Sequence, residues 1–146
     1  PPQRDGDYSD ALKEVASFSD VKGFWKYWSY LPRPSEVFGD GSGKKIVDGR
    51  SIKSFSLFKK GIMPTWEDPL NAAGSELTTI RAFNLEVLDV LWENLVLALV
   101  GEVFDDCEEI CGVRVVDQQK KAKVSVMQVV QDLPHLAKMV VCVSVF

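Results

Sequence analysis

Apolar residues recur every three or four positions between Leu85 and Val100, and this is the strongest periodic pattern in the chain. Such spacing predicts an amphipathic helix over that segment. Two further apolar residues, Leu91 and Leu97, lie off the main stripe. The helix is therefore either sandwiched within the core or in contact with a second partner. The stripe consists of Leu85, Leu88, Trp92, Leu95, Val96 and Leu99.

A second helix is predicted to begin after the capping residue Asp20 and to extend to about residue 31. Phe24 and Trp28 are four positions apart and can face the core together. Val21 and Trp25 form a separate apolar stripe on this helix. We interpret Trp25 and the off-stripe residues of the longer helix as a candidate docking patch, with complete burial of the longer helix as the alternative.

Alternation of apolar and polar residues predicts several strands between and after the helices. In the hairpin near residue 120, Val124 and Val126 face one side, whereas Lys123, Ser125 and Met127 face the other. Strands and helices follow one another without internal repeats. The predicted strands are 52–58, 76–83, 110–118, 123–130 and 139–146.

Composition indicates a single globular domain spanning residues 1–146, because 46% of the residues are hydrophobic and 26% are charged. The 17 basic and 21 acidic residues give a net charge of −4, which argues against a long nucleic-acid groove. Any contact with nucleic acid is therefore local. The longest apolar run is too short for a membrane span and no signal peptide is visible, so we expect a cytoplasmic protein without a membrane partner.

The reactive side chains do not predict an enzyme. The three cysteines are odd in number, the spacing of Cys107 and Cys111 is not typical of zinc sites, and His135 is the only histidine. We therefore expect no metal and no cofactor. A thiol-dependent transferase using Cys107 or Cys111 is the enzymatic alternative, but neither cysteine has a basic neighbour to lower its pKa.

Trp66 and Glu67 are adjacent in the sequence, in a segment bounded by Pro64 and Pro69. An indole stacks well on a cationic purine such as N7-methylguanine, and a carboxylate accepts hydrogen bonds from the purine's N1–H and N2–H donors. Trp66 is thus a candidate stacking residue and Glu67 a candidate edge-reading residue. The alternative is a structural tryptophan packed beneath a proline-bounded loop.

Three lysines, Lys120, Lys121 and Lys123, lie close to the turn of the predicted hairpin. Together they could hold a short phosphate chain through charge-assisted hydrogen bonds. The alternative is that they only solvate the turn.

Several motifs occur together in the order and near the spacing of a known family. On these motifs, residues 12 to 130 resemble the translation initiation factor 4E family of messenger-RNA cap-binding proteins. The motifs are Phe24-Trp25, Ser56-Leu-Phe-Lys-Lys-Gly-Ile, Pro64-Thr-Trp-Glu-Asp-Pro, Asn71-x-x-Gly74, Leu91-Trp92, Leu99-Val-Gly-Glu-x-Phe-Asp-Asp106 and Ile110-Cys-Gly.

The resemblance implies an α+β fold in which a curved antiparallel sheet carries helices on its convex face and a cap slot on its concave side. Trp66 matches one of two indoles that sandwich the methylated base, and Glu67 matches the edge-reading carboxylate. Lys120 and Lys123 match positions that contact the triphosphate, and Lys121 is a further lysine close to them. Capped messenger RNA is the implied ligand, and the protein is expected to be a monomer.

The chain departs from the family's pattern in the cap slot. Tyr8 stands where the second sandwiching Trp is usual, Gln118 replaces a phosphate-gripping Arg, and Met127 replaces a Trp near the methyl group. Glu76 lies near another usual Arg. The family's first strand is not visible before Pro1, and only about a dozen residues separate Met127 from the last predicted strand, where a helix normally fits.

On the convex face, Val21, Trp25 and Leu97 match positions that receive the Tyr-x-x-x-x-Leu-type helix of scaffold factor 4G and of 4E-binding repressors. Glu93 stands at a usual Leu and Asn94 at the usual Glu, so partner contacts are expected to differ in detail. Two functions stay open: a cap-binding factor that docks such a partner, or an adaptor whose cap slot is weakened.

Overall fold

The computed structural model describes residues 12–38, 46–47, 50–60, 62, 74–82, 84–103, 109–118, 121–128 and 139–145. These parts of the chain contain seven β-strands and three helices. The strands are β1 (Leu12–Phe18), β2 (Ile46–Val47), β3 (Arg50–Lys59), β4 (Ser75–Arg81), β5 (Ile110–Asp117), β6 (Ala122–Gln128) and β7 (Met139–Val145). The helices are α1 (Val21–Trp28), α2 (Pro34–Val37) and α3 (Leu85–Val100).

All the strand pairs are antiparallel, and the strands lie in the order β1-β7-β3-β5-β6-β4, with β2 pairing beside β3. The last strand therefore lies inside the sheet, between β1 and β3, and β4 is the outer strand next to β6. The sheet is curved and the helices pack on its convex face, as the resemblance implied.

The core forms where α3 packs on β3 and β5. Leu88, Trp92, Val96 and Leu99 are the buried residues of α3. The Phe55 ring of β3 lies 6.4 Å from the ring of Trp92 and 5.7 Å from that of Phe38, measured between centroids. The inward-facing residues of the two strands include Phe55, Leu57, Val113 and Val115. Because side chains alternate along a strand, this packing assigns Ser56 and Arg114, which lie between these residues, to the opposite face.

The bounds of α3 are those that its periodicity predicts. The Asn84 side chain accepts a hydrogen bond from the backbone N–H of Glu86 at 2.8 Å, which caps the first turn. Leu85 is nevertheless exposed, so its predicted place on the buried stripe is wrong. It lies at the first position of the helix, before the stripe meets the sheet.

Helix α1 begins as predicted but ends earlier. The Asp20 side chain accepts from the backbone N–H of Gly23 at 2.6 Å, and Phe24 is buried against Phe18, with 5.3 Å between ring centroids. The helix ends at Trp28 rather than near residue 31. Pro32 disfavours helical backbone at the residue before it, so the chain leaves the helix in a turn.

Strand β1 is absent from the predictions made from sequence. Its register shifts between Glu14 and Ala16, and such an irregularity disrupts strict alternation. Val15 is consequently exposed while Ala16 is buried. The predicted strand 76–83 is longer than the one observed, since β4 ends at Arg81. The last two residues of the predicted strand 123–130 lie outside the described residues.

Helix α2 occupies a segment in which the sequence patterns predicted no helix. The carboxylate of Asp89 on α3 accepts from the backbone N–H of Ser35 at 2.8 Å and from its hydroxyl at 2.5 Å. The residues are 54 positions apart in the sequence. This contact joins α2 to α3, and local periodicity in the sequence therefore cannot predict it.

Gly112 on β5 lies directly opposite Phe58 on β3, and a Cβ at this position would overlap the Phe58 ring. We predict that Gly112→Ala lowers the free energy of unfolding by about 1–3 kcal/mol, because overpacking displaces a buried ring. Chemical denaturation measures this change. In a Phe58→Ala background the same substitution should cost clearly less; an equal cost in both backgrounds would contradict the steric cause.

Candidate functional site

The face of the sheet opposite the helices carries a cluster of polar and charged side chains. Val113 and Val115 of β5 face the core, so Arg114 between them faces away. The same alternation on β6 places Lys123 and Ser125 on that side, and β4 contributes Glu76 and Thr78. We refer to this cluster as the polar face: Glu76, Thr78, Arg114, Lys123 and Ser125.

Glu76 is at the centre of the charges on the polar face. Its Oε1 lies 3.2 Å from Nζ of Lys123 and 3.9 Å from Nη2 of Arg114, and Lys123 donates a hydrogen bond to Oε2 at 3.4 Å. The side chains of Glu76, Lys123 and Arg114 are 9%, 21% and 15% exposed. These charges are therefore largely shielded from water and interact more strongly than a surface pair would.

The pKa of Glu76 lies below its usual value. Burial acts to raise the pKa, but the hydrogen bonds from Ser125 and Lys123 and the positive charges of Lys123 and Arg114 outweigh it. The carboxylate is therefore ionised at neutral pH. With two cations and one carboxylate, the three-residue group has a net charge of +1.

The β5–β6 hairpin places some of the predicted phosphate-binding residues at one end of this face. Gln118 and Lys121 are exposed, and the backbone N–H of Gln118 donates to the carbonyl of Lys121 at 2.8 Å. Lys123 follows on β6. Lys120 lies outside the described residues.

Sequence reasoning missed the contact between Lys123 and Glu76, and it missed Arg114. The signal for Arg114 was present, because a lone charged residue interrupts the apolar strand Ile110-Cys-Gly-Val-Arg-Val-Val. Alternation already placed it opposite the two core valines. No local pattern, however, connects Glu76 with a lysine that lies 47 positions away.

The predicted base-binding residues Trp66, Glu67 and Tyr8 lie outside the described residues. The segment that contains Trp66 connects β3 to β4, in agreement with the prediction that strands flank it on both sides. Met127 is on β6, where its backbone pairs with Glu76 on one side and Gly112 on the other. Its side chain is not among those described.

The predicted partner-binding residues are on α1 and α3, the two longer helices on the convex side of the sheet, which we call the helical face. Val21 and Trp25 of α1 are 65% and 50% exposed, and their four-residue spacing places them on one side of that helix. On α3, Glu93 and Leu97 are partly buried and Asn94 is exposed. Among the predicted partner-binding residues, the exposed apolar side chains are therefore the two on α1.

A cavity of about 310 Å³ opens between the end of α1, the beginning of α2 and one side of α3. Trp28 and Trp92 form aromatic parts of its wall, and Glu93 lines it as well. Glu93 therefore borders both the cavity and the predicted docking surface.

Among the described residues there is no group of three His, Cys, Asp or Glu side chains that could hold a metal ion. Cys111 is fully buried in β5, and Cys107 lies outside the described residues. Within the described chain, no helix has both the length and the apolar character needed to cross a membrane.

The protein has an α+β fold, in which a curved antiparallel sheet carries helices on one face and polar side chains on the other. The sequence model described as "Eukaryotic initiation factor 4E" matches residues 1–133. The chain therefore belongs to the eukaryotic initiation factor 4E family.

Two curated relatives illustrate the similarity in sequence. The chain is 36% identical to eukaryotic translation initiation factor isoform 4E of Arachis hypogaea over 126 residues, which cover 85% of this chain and 55% of that protein. It is 32% identical to initiation factor 4E1 of Drosophila melanogaster over 124 residues, covering 84% of this chain and 43% of that protein. The chain thus matches only about half the length of these relatives.

Two solved structures show the similarity in fold. Ascaris suum eIF4E-3 in complex with m7G cap aligns with a TM-score of 0.68 and 33% identity, over 92% of this chain and 69% of that one. C. elegans eIF4E-3 in complex with the 4E-binding protein Mextli aligns with a TM-score of 0.69 and 31% identity, over 87% and 68% respectively.

Because its pKa is lowered by folding, Glu76 should stabilise the protein above its unfolded-state pKa, near the ordinary glutamate value of 4.5. This contribution is lost as the pH falls through the lower folded-state pKa. We predict that wild type exceeds Glu76→Gln in stability at neutral pH and that the difference shrinks in acid. Urea denaturation across this range measures it; Glu14→Gln, at an exposed position of β1, is the control. A difference that grows in acid would contradict the ion-pair assignment.

Proposed function

We propose that this protein binds the N7-methylguanosine cap of messenger RNA. Trp66 stacks on the cationic base and Glu67 accepts hydrogen bonds from its N1–H and N2–H. The observation that carries the proposal is the adjacent Trp66-Glu67 pair within a chain of the 4E family. The cap complex of the similar Ascaris suum protein supports it.

The remaining cap contacts in the proposal come from residues that depart from the family's usual pattern. Tyr8 takes the place of the second stacking indole, with a smaller ring, and Met127 packs softly near the methyl group. The phosphate chain meets Lys120 and Lys123, with Lys121 nearby. Gln118 contributes only a neutral amide, so this part of the site has less positive charge than an arginine would supply.

The protein acts in this proposal by binding alone and catalyses no reaction. Its role is that of a translation initiation factor in the cytoplasm, as a monomer that connects capped messenger RNA to a protein partner. The names of the curated relatives, which are translation initiation factors, support this role.

A tryptophan-fluorescence titration with N7-methylated cap dinucleotide should produce quenching that the unmethylated dinucleotide does not. We predict that Trp66→Ala and Glu67→Ala each weaken binding at least about tenfold, since stacking is worth on the order of 1–3 kcal/mol and a charged edge contact a similar amount. Retention on a cap column provides a second measurement for the Glu67 variant.

The control is Trp28→Phe, which changes an indole of α1 on the helical side and should leave the preference for methylated cap intact. Equal responses to the two dinucleotides would contradict cap binding.

We further propose that the helical face docks an amphipathic helix of the Tyr-x-x-x-x-Leu type, carried by a 4G-type scaffold or a 4E-binding protein. Val21, Trp25 and Leu97 provide its apolar contacts, and Glu93 and Asn94 border them. The exposure of Val21 and Trp25 supports this proposal, and so does the complex of the similar C. elegans protein with Mextli.

Trp25→Ala should weaken the binding of a Tyr-x-x-x-x-Leu helical peptide by about tenfold or more, because a central aromatic residue commonly dominates such an interface. Isothermal titration calorimetry measures the change. Tyr30→Ala is the matched control, since Tyr30 is 81% exposed and follows the end of α1. Equal losses in the two variants would contradict a site centred on Trp25.

An alternative function is that of a protein-interaction adaptor or translational repressor with a weakened cap slot. The pairing of Lys123 with Glu76 and the neutral Gln118 favour it, because both reduce the positive charge available to phosphate. The titration with methylated and unmethylated cap also separates these two functions.

A further inference from the structure

Glu76 lies close to the lysine that the proposed function assigns to the phosphate chain. Its two oxygens are 3.2 and 3.4 Å from Nζ of Lys123. A carboxylate and a phosphate offer an ammonium group the same kind of contact, an anionic oxygen that accepts a charge-assisted hydrogen bond. Glu76 therefore makes with Lys123 the kind of contact that a phosphate oxygen would make.

The arrangement around Glu76 also provides it with a second cation. Nη2 of Arg114 lies 3.9 Å from the same Oε1 atom that faces Lys123. A small movement of the carboxylate toward Arg114 would keep it paired if Lys123 turned to another anion. Keeping it paired is important, since leaving a shielded charge without a partner is strongly unfavourable.

We propose that Glu76 is an internal competitor for the phosphate chain: it occupies Lys123 in the free protein, and it passes to Arg114 when a phosphate binds Lys123. This inference rests on the proposed cap-binding function and adds a residue that sets affinity for phosphate. Glu76 is a positioning residue here, because it acts through Lys123 and does not itself contact the ligand.

Two effects of Glu76 oppose phosphate binding. Its negative charge repels the incoming anion, and its contacts with Lys123 must be exchanged for contacts with the phosphate. Glu76→Gln removes the charge and retains an amide that can still accept from Ser125. We expect this variant to bind N7-methyl-GTP about 3- to 10-fold more tightly than wild type, as for the loss of one competing ion pair that is partly shielded from water.

The gain should depend on the phosphates and on Lys123. N7-methylguanosine, which lacks phosphate, should bind wild type and Glu76→Gln equally. In a Lys123→Gln background, Glu76→Gln should produce no more than about a twofold gain, because the residue through which Glu76 acts is absent. The test therefore measures N7-methyl-GTP and N7-methylguanosine against wild type, both single variants and the double variant.

Controls separate this effect from a general change in charge or folding. Glu14→Gln removes the same charge from β1, at the opposite edge of the sheet, and should not alter affinity for N7-methyl-GTP. Far-ultraviolet circular dichroism checks that each variant is folded. Should Glu76→Gln not fold, Glu76→Asp supplies the test instead: the shorter carboxylate moves away from Lys123 and should also increase affinity.

Inorganic tripolyphosphate separates failure of this inference from failure of the proposed function. Suppose that Glu76→Gln binds tripolyphosphate more tightly than wild type, while no variant prefers the methylated to the unmethylated cap. This result would support Glu76 as a competitor for Lys123 and would reject cap binding. If the protein binds methylated cap specifically but Glu76→Gln does not increase affinity for N7-methyl-GTP, only the role of Glu76 would be overturned. An equal increase in affinity for N7-methylguanosine would have the same meaning. The role of Glu76 would also be overturned if Glu76→Gln increased affinity for N7-methyl-GTP as much in the Lys123→Gln background as in wild type. Weaker binding by Glu76→Gln than by wild type would overturn it as well.

Discussion

The packing of α3 against β3 and β5 is the contact on which the rest of the structure depends. Trp92 and Val96 belong to one buried cluster with Phe55, Leu57 and the inward valines of β5, and these strand residues make one face of the sheet apolar. Because side chains alternate along a strand, the same contact sends the intervening residues to the opposite face. Core packing and the polar face are thus two results of one arrangement.

The two faces of the sheet differ in their chemical character. On the polar face, shielded charges lie on neighbouring strands, and each must be matched by another because unpaired charge is unfavourable away from water. Glu76 provides that match for Lys123 and Arg114. On the helical face, α1 buries Phe24 and leaves Trp25 half-exposed, which provides apolar surface for a partner. The charged cluster and the exposed side chain of Trp25 therefore lie on opposite sides of the sheet.

Local patterns in the sequence were sufficient for most elements. The full extent of α3 follows from its periodicity and from the capping residue Asn84, and β3, β5 and β6 follow from alternation. Where a local pattern was interrupted, the prediction failed: the register shift between Glu14 and Ala16 concealed β1. The short helix α2 was also missed, since its contact with Asp89 joins residues far apart in the sequence.

The sequence by itself determined the family, the limits of the long helix and, on β5 and β6, the face of the sheet on which a residue lies, because these depend on motifs and on periods of 3.6 and 2 residues. Only the tertiary structure decided which charged residues meet. Strand order places β4 beside β6, and only this neighbourhood brings Glu76 to Lys123 across 47 positions of sequence. Pairing between distant strands depends on how the whole sheet assembles, which no local period encodes.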